Sequence, residues 1–251
     1  MKILIISDIH GNWPALRAVL QAEPKVNHIL CLGDLVNFGP QPAECVAWAR
    51  ELVPPEWVTQ GNHDRALGLN VSPHCSPAYA PVAEATQNFT ERMLAPELKQ
   101  FLAGLQPLRR FDLENAECVA CHACPKDPLY GFLLETAPVN LWEAEVLVAG
   151  LPDFLFLGHT HIQMETRLTQ TYIINPGSVG LPQDGDPRAA YAIWKDGKVT
   201  LRRVAYDVEE TIRAYDGLGL PPHILHQLME MLRTGKGLSL EQPFDVAAPS
   251  A

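Results

Sequence analysis

Apolar residues in this chain fall into short unbroken runs that end abruptly in polar side chains. The first, Ile3-Leu4-Ile5-Ile6, runs into Ser7-Asp8-Ile9-His10-Gly11-Asn12. Four consecutive apolar residues ahead of a helix predict a strand buried on both faces, as in a parallel sheet. Asn12 is placed to cap a helix over about 13–21, with Pro14 in its first turn and Leu16, Val19 and Leu20 as its apolar stripe. The second run, 28–32, ends in Gly33-Asp34, and Gly39-Pro40 turns the chain into a helix over about 42–51. A third strand is predicted over 57–60, ending in Gly61-Asn62-His63-Asp64. This β-α-β-α-β alternation puts the three carboxyl ends on one edge of one sheet, where open α/β sheets hold their ligands.

Residues 65–107 read as helix and loop, with helices over 86–94 and 96–105. A hairpin is predicted from 108–113 and 117–121, followed by His122. After a helix over 141–148, the apolar run 153–157 leads into Gly158-His159-Thr160-His161, and 171–174 leads into Asn175-Pro176-Gly177-Ser178. Strands over 189–195 and 199–204 flank Asp196-Gly197, a strong hairpin signal. Helices at about 208–215 and 223–233 complete one domain over 1–236, and the Pro- and Ala-rich tail 237–251 is expected to be weakly ordered.

With 251 residues, 47% of them hydrophobic, the chain can build one large core. Its net charge of -10 argues against general nucleic-acid binding, but not against a small anionic substrate, because bound cations reverse the sign locally. No apolar stretch approaches the ~18 residues of a membrane span, and no signal peptide is evident, so a cytoplasmic location is expected. Cys31, Cys45, Cys75, Cys118, Cys121 and Cys124 are read as reduced thiols. Cys118 and Cys121 fall in one strand three positions apart, on opposite faces, so a cysteine-bound cofactor is not expected.

The strand ends supply Asp8, His10, Asp34, Asn62, His122, His159 and His161. Such imidazoles and oxygen donors suit two divalent ions drawn from Mn, Fe, Zn, Co or Ni, with Mn favoured. One ion takes Asp8, His10 and one histidine of the Gly-His-Thr-His turn; the other takes Asn62, His122 and the remaining histidine; Asp34 bridges them. Two ions sharing a hydroxide can clamp and cleave a phosphoryl group. His63 is placed to donate a proton to the leaving group or to stabilise negative charge, and Asp64, otherwise an ordinary turn carboxylate, is better read as holding ring N–H groups of the catalytic site. Asn12, Gly39, Arg65 and Arg188 are candidate substrate contacts, Arg188 equally a salt-bridge residue. His28, His74, His223 and His226 lack such a setting and are read as surface or packing residues.

Asp-x-His, Gly-Asp, Gly-Asn-His-Asp, a lone downstream histidine and Gly-His-Thr-His, in that order from Asp8 to His161, resemble the calcineurin-like metallophosphoesterase superfamily. Asp-Ile-His-Gly-Asn, Asn-Pro-Gly-Ser-Val-Gly and Asp-Gly-Asp-Pro-Arg resemble its small prokaryotic branch of YfcE-like and diadenosine-tetraphosphatase-like phosphoesterases. The resemblance implies two mixed sheets packed face to face with helices outside. It also implies that His161 joins Asp8 and His10 on the first metal, and that His159 joins Asn62 and His122 on the second. The implied activity is hydrolysis of phosphodiesters or nucleotides by a metal-bridging hydroxide. A phosphomonoesterase or protein phosphatase with the same centre is the alternative, and a non-catalytic scaffold a more distant one. One departure stands out: Ala123-Cys124-Pro125 follows His122 where relatives carry Gly-Ser-Pro, which alters the room beside the second metal.

Overall fold

The structure is a computed structural model that describes residues 1–238. The tail expected to be weakly ordered lies, from 239 onward, outside the described residues. In chain order the elements are β1 (Lys2–Ile6), α1 (Trp13–Ala22), β2 (His28–Cys31), α2 (Pro42–Leu52), a 3-10 turn (Pro55–Trp57), α3 (Asn62–Leu69), α4 (Ala80–Met93) and α5 (Pro96–Gly104). There follow β3 (Leu108–Leu113), β4 (Ala116–Cys121), α6 (Val139–Ala149), β5 (Phe154–Phe156), β6 (Gln163–Leu168), β7 (Thr171–Pro176), β8 (Ala189–Lys195), β9 (Lys198–Val204), α7 (Val208–Arg213) and α8 (Pro222–Thr234).

Two mixed sheets result, ordered β2-β1-β8-β9 and β3-β4-β5-β7-β6. In the first, β1 and β2 are parallel; in the second, β4, β5 and β7 are parallel and the edge strands antiparallel. Alternation along β1 explains the layering. Ile3 and Ile5 point between the sheets, against Cys118, Ala120, Phe154, Phe156 and Ile174. Leu4 and Ile6 point the other way, into a core shared with Leu16 and Val19 of α1 and Val46 of α2. Such burial is worth ~1.5–3 kcal/mol per large apolar side chain, and it fixes the register, since a one-residue slip would exchange the two faces. On the far side of the second sheet, Cys121, Val119, Leu155 and Ile173 meet Trp142 and Val146 of α6. Cys118 and Cys121 thus face opposite layers as expected, and all six cysteines are free.

Three elements differ from expectation. The strand predicted over 57–60 is absent: Pro54-Pro55 imposes a 3-10 turn, and only single bridges, Cys31 with Val58 and Thr59 with Gln106, remain. Its end nevertheless lies beside β2, so Gly61 still delivers Asn62 next to Asp34. Strand β6 was not expected, and α4 begins at Ala80, ahead of the predicted 86. The described residues contain no helix long and apolar enough to cross a membrane.

Candidate metal centre

The carboxyl ends of β1, β2, β4 and β5 open into loops that are laced together by backbone hydrogen bonds. Asp8 N–H donates to Gly33 O (3.0 Å), His10 N–H to Asp34 O (2.9 Å), Gly158 N–H to His122 O (2.7 Å) and Gly180 N–H to Asp8 O (3.0 Å). Within this lacing the backbone is held in the left-handed region at Asp8 (φ 53°), His10 (47°), Asp34 (55°), His159 (66°) and His161 (58°). Such conformations cost roughly 1–3 kcal/mol each and persist only where the surroundings impose them. They aim consecutive polar side chains into one space.

The histidine tautomers are set from outside. His10 Nδ1 donates to Val36 O (2.8 Å), His122 Nδ1 to Leu32 O (2.8 Å) and His161 Nδ1 to Leu181 O (2.6 Å). A carbonyl only accepts, so in the neutral rings each Nε2 turns a lone pair inward. Asn62 Nδ2 donates to Pro73 O (2.8 Å), which turns its Oδ1 inward too. His10 Nε2 then lies 3.1 Å from His161 Nε2, and Asp8 Oδ1 lies 3.3 Å from the latter. Asp8 Oδ1 is fully buried and accepts no hydrogen bond of normal geometry. In the second group His122 Nε2 lies 3.1 Å from Asn62 Oδ1, 3.1 Å from His159 Nδ1 and 3.2 Å from Asp34 Oδ2. Asp34 Oδ2 is also 3.7 Å from His10 Nε2, between the two groups. The structure therefore gathers Asp8, His10 and His161 in one cluster and Asp34, His122 and His159 in another, with Asn62 beside the second.

Acceptors facing acceptors in a buried site demand positive charge. Burial pushes the Asp8 carboxyl up, but the adjoining His161 ring outweighs burial and holds it at about 2. Asp34 is likewise drawn well below the usual carboxylate range, mainly by His122. Burial depresses both partner rings, yet Asp34 raises His122 to about 9 and Asp8 raises His161. Burial alone dominates at His10, held down to about 4, and at His159, held down to about 3. Shared protons are one way to relieve this arrangement. Divalent ions are the other, and the buried nitrogen and oxygen donors with their outer carbonyl partners fit borderline metals.

Two neighbours control the rim. His63 packs its ring edge against His10, 5.3 Å between centroids, and burial holds its pKa down to about 3. Asn37 Nδ2 donates to His63 Nδ1 (2.7 Å), so the ring proton sits on Nε2, which faces Cys75 Sγ at 3.6 Å. Asp64 corrects the expectation placed on it. It meets no ring N–H: Oδ2 accepts from the backbone of Asp34 (2.8 Å) and Gly61 (3.0 Å), and Oδ1 from Leu35 (2.8 Å). It is a strap that fixes the Asp34 loop to the start of α3, not a group that touches reacting atoms.

The four candidate substrate contacts divide. Asn12 Oδ1 accepts from Ala15 N–H and Thr211 Oγ1, and Nδ2 donates to Gly180 O and Tyr206 Oη, which uses its full bonding capacity within the protein. Gly39 is buried where a Cβ would strike the carbonyl of His10, so it serves close backbone approach. Arg188 is paired with Asp186 at 2.6 Å. Arg65, half-buried on α3, makes no ion pair among the described residues and remains available to an anion. Ala123, the residue at the departure from relatives, is buried and donates its N–H to Pro128 O (2.9 Å), seating the segment that follows. Sequence reasoning missed Asn37 and Cys75. Asn37 carried a faint signal in its place three residues after Asp34; Cys75 carried none.

Residues 1–196 match the calcineurin-like phosphoesterase superfamily domain. The crystal structure of a metallophosphoesterase from Sphaerobacter thermophilus is similar with a TM-score of 0.78 at 33% identity, covering 94% of this chain and 100% of that one. Phosphodiesterase YfcE of Escherichia coli strain K12 is 27% identical over 204 residues, 77% of this chain and 86% of that enzyme. A symmetrical bis(5'-nucleosyl)-tetraphosphatase of Methylococcus capsulatus is 30% identical over 152 residues, 59% of this chain and 51% of that enzyme. A family of divalent-metal hydrolases and two buried groups of nitrogen and oxygen donors that could hold metal ions point the same way: the chain belongs to the calcineurin-like phosphoesterase superfamily and hydrolyses phosphoester bonds.

Proposed function

We propose that the chain is a dinuclear metallophosphoesterase acting on phosphodiesters and nucleotides. The observation that carries this reading is the position of Asp34 Oδ2, 3.2 Å from His122 Nε2 and 3.7 Å from His10 Nε2, between two acceptor clusters. Asp8, His10 and His161 would hold one ion and Asn62, His122 and His159 the other, with Asp34 within reach of both. Two divalent ions, with manganese favoured, would supply an activated water as nucleophile near neutral pH and would neutralise charge on the phosphoryl oxygens.

The protein's own groups do the rest. Asp64 keeps Asp34 in register, and the Val36, Leu32 and Leu181 carbonyls keep three rings turned inward. His63 turns Nε2–H to the leaving oxygen once Cys75 yields its place: the neutral ring hydrogen-bonds the negative charge that develops there, and the proton itself is passed on by the imidazolium, the form that an anionic phosphate beside the ring favours. Arg65 offers a cation to a non-bridging phosphate oxygen. A cytoplasmic setting agrees with six free cysteines.

Metal analysis of the purified protein, with turnover of bis(p-nitrophenyl) phosphate, p-nitrophenyl phosphate, dinucleoside polyphosphates and cyclic nucleotides, tests the reading. Two ions per chain and a preference for diesters or nucleotides are expected. One ion per chain at full activity, or a preference for simple monoesters, overturns it.

A further inference from the structure

Resting on that reading, we infer that Phe132, Tyr130 and His74 form a stacking shelf beside the metal centre for a planar ring of the substrate, a nucleobase. Phe132 is 59% exposed, and its ring edge rests on His159 with 5.8 Å between centroids and an interplanar angle of 78°. Phe132 thus holds an apolar ring in water directly against a candidate metal ligand. Two residues earlier, the half-buried ring of Tyr130 meets exposed His74 at 4.9 Å and 72°.

His74 belongs to the loop between α3 and α4, and this loop is tied to the centre on both sides of it. Pro73 O accepts from Asn62 Nδ2, and Cys75 Sγ covers His63 Nε2. His74 itself is held at φ 53°. The two loops thus touch through His74 and Tyr130, with Phe132 on His159 of the second cluster to one side and Cys75 on His63 to the other. Stacking of a base on aromatic side chains is tolerant of base identity.

The test uses manganese-loaded full-length protein and two phosphonate analogues that cannot be hydrolysed, one of adenosine 5'-monophosphate and one of ribose 5-phosphate, which differ only by the base. Calorimetric titration is expected to show the adenosine compound binding about 10-fold tighter or more. Phe132→Ala should bring it down to the affinity of the ribose compound, and Phe132→Trp should keep the advantage. Equal affinities, no binding of the adenosine compound, or a Phe132→Ala change confined to oligomeric state in light scattering overturns the shelf; the last outcome assigns the ring to a protein contact. Metal-dependent turnover of bis(p-nitrophenyl) phosphate by the wild-type protein is scored separately, so loss of the shelf and loss of the hydrolase reading are distinguishable.

Discussion

His63 sits one residue from Asn62 and packs against His10, yet it offers the metals nothing. Its Nδ1 accepts from Asn37 Nδ2, and its Nε2 faces Cys75 Sγ. Under the proposed function such a ring is available to the leaving group. His63→Ala is expected to retain its metals and to lose roughly 10²–10⁴ in turnover. The loss should shrink with nitrophenol esters, whose leaving oxygens need no proton. Rates measured across leaving groups of rising basicity check this, and an equal loss for all of them counts against proton donation. At this scale the sequence was informative wherever a residue's role comes from its neighbours in a motif. Asp8, His10, Asp34, Asn62, His122, His159 and His161 were all named from their strand-end settings. It was silent where a role comes from distant backbone: nothing marks Val36, Leu32 or Leu181 as the carbonyls that orient three rings. Asp64 misled because a carboxylate near imidazoles suggests a ring partner, whereas three unpaired backbone N–H groups claimed it.

Among the elements, α3 does the most with the least length. It starts on Asn62 itself, so its first turn presents Asn62, His63 and Asp64 together, and Asp64 at the third position takes the N–H of Gly61 ahead of the helix. Gly61 is the hinge of this arrangement, because a Cβ there would run into the Asp34 carboxylate, with Cγ at 2.7 Å. Gly61→Ala is expected to lower stability by about 2–4 kcal/mol and metal affinity about 10–100-fold, read from thermal unfolding and metal titration. Gly197→Ala, at φ 76° with open space around it, is the comparison and should cost about 1–2 kcal/mol with metal affinity unchanged. Legibility among elements followed apolar content. β1, β2, β5 and β8 announce themselves because both their faces are covered. β6, Gln-Met-Glu-Thr-Arg-Leu, is an edge strand with its alternate positions in water, and no apolar run betrays it. The overcalled strand at 57–60 had the right side chains, but the turn at Pro54-Pro55 claims the N–H groups of Trp57 and Val58 for its own carbonyls, which leaves only Thr59 and Gln60 to bond Cys31 O and Gln106 O.

For the molecule as a whole, the centre is both what the fold makes and what most strains it. Two layers of strands deliver left-handed loops to one place, and the result is a cluster of lone pairs that repel one another in a buried, low-dielectric space. Any ion that binds the folded chain and not the unfolded one stabilises it in proportion to the logarithm of its saturation, by about 4 kcal/mol at 1,000 times its dissociation constant. For a chain of this size that corresponds to a rise of roughly 8–16 °C in unfolding temperature. Chelator should therefore lower the unfolding temperature of the wild-type protein as well as abolish its activity, and manganese should restore both. Asp34→Asn keeps the shape of the side chain but loses the negative charge that lies between the two clusters, 3.2 Å from His122 Nε2 and 3.7 Å from His10 Nε2. It should bind less than a full pair of ions, show little thermal response to manganese, and turn over substrate at least about 10³-fold more slowly. Scanning calorimetry with and without chelator reads the first two effects without reference to any substrate. An Asp34→Asn protein that still gained the full thermal shift would mean that the ions are held without Asp34, and the two clusters would then have to be treated as independent sites.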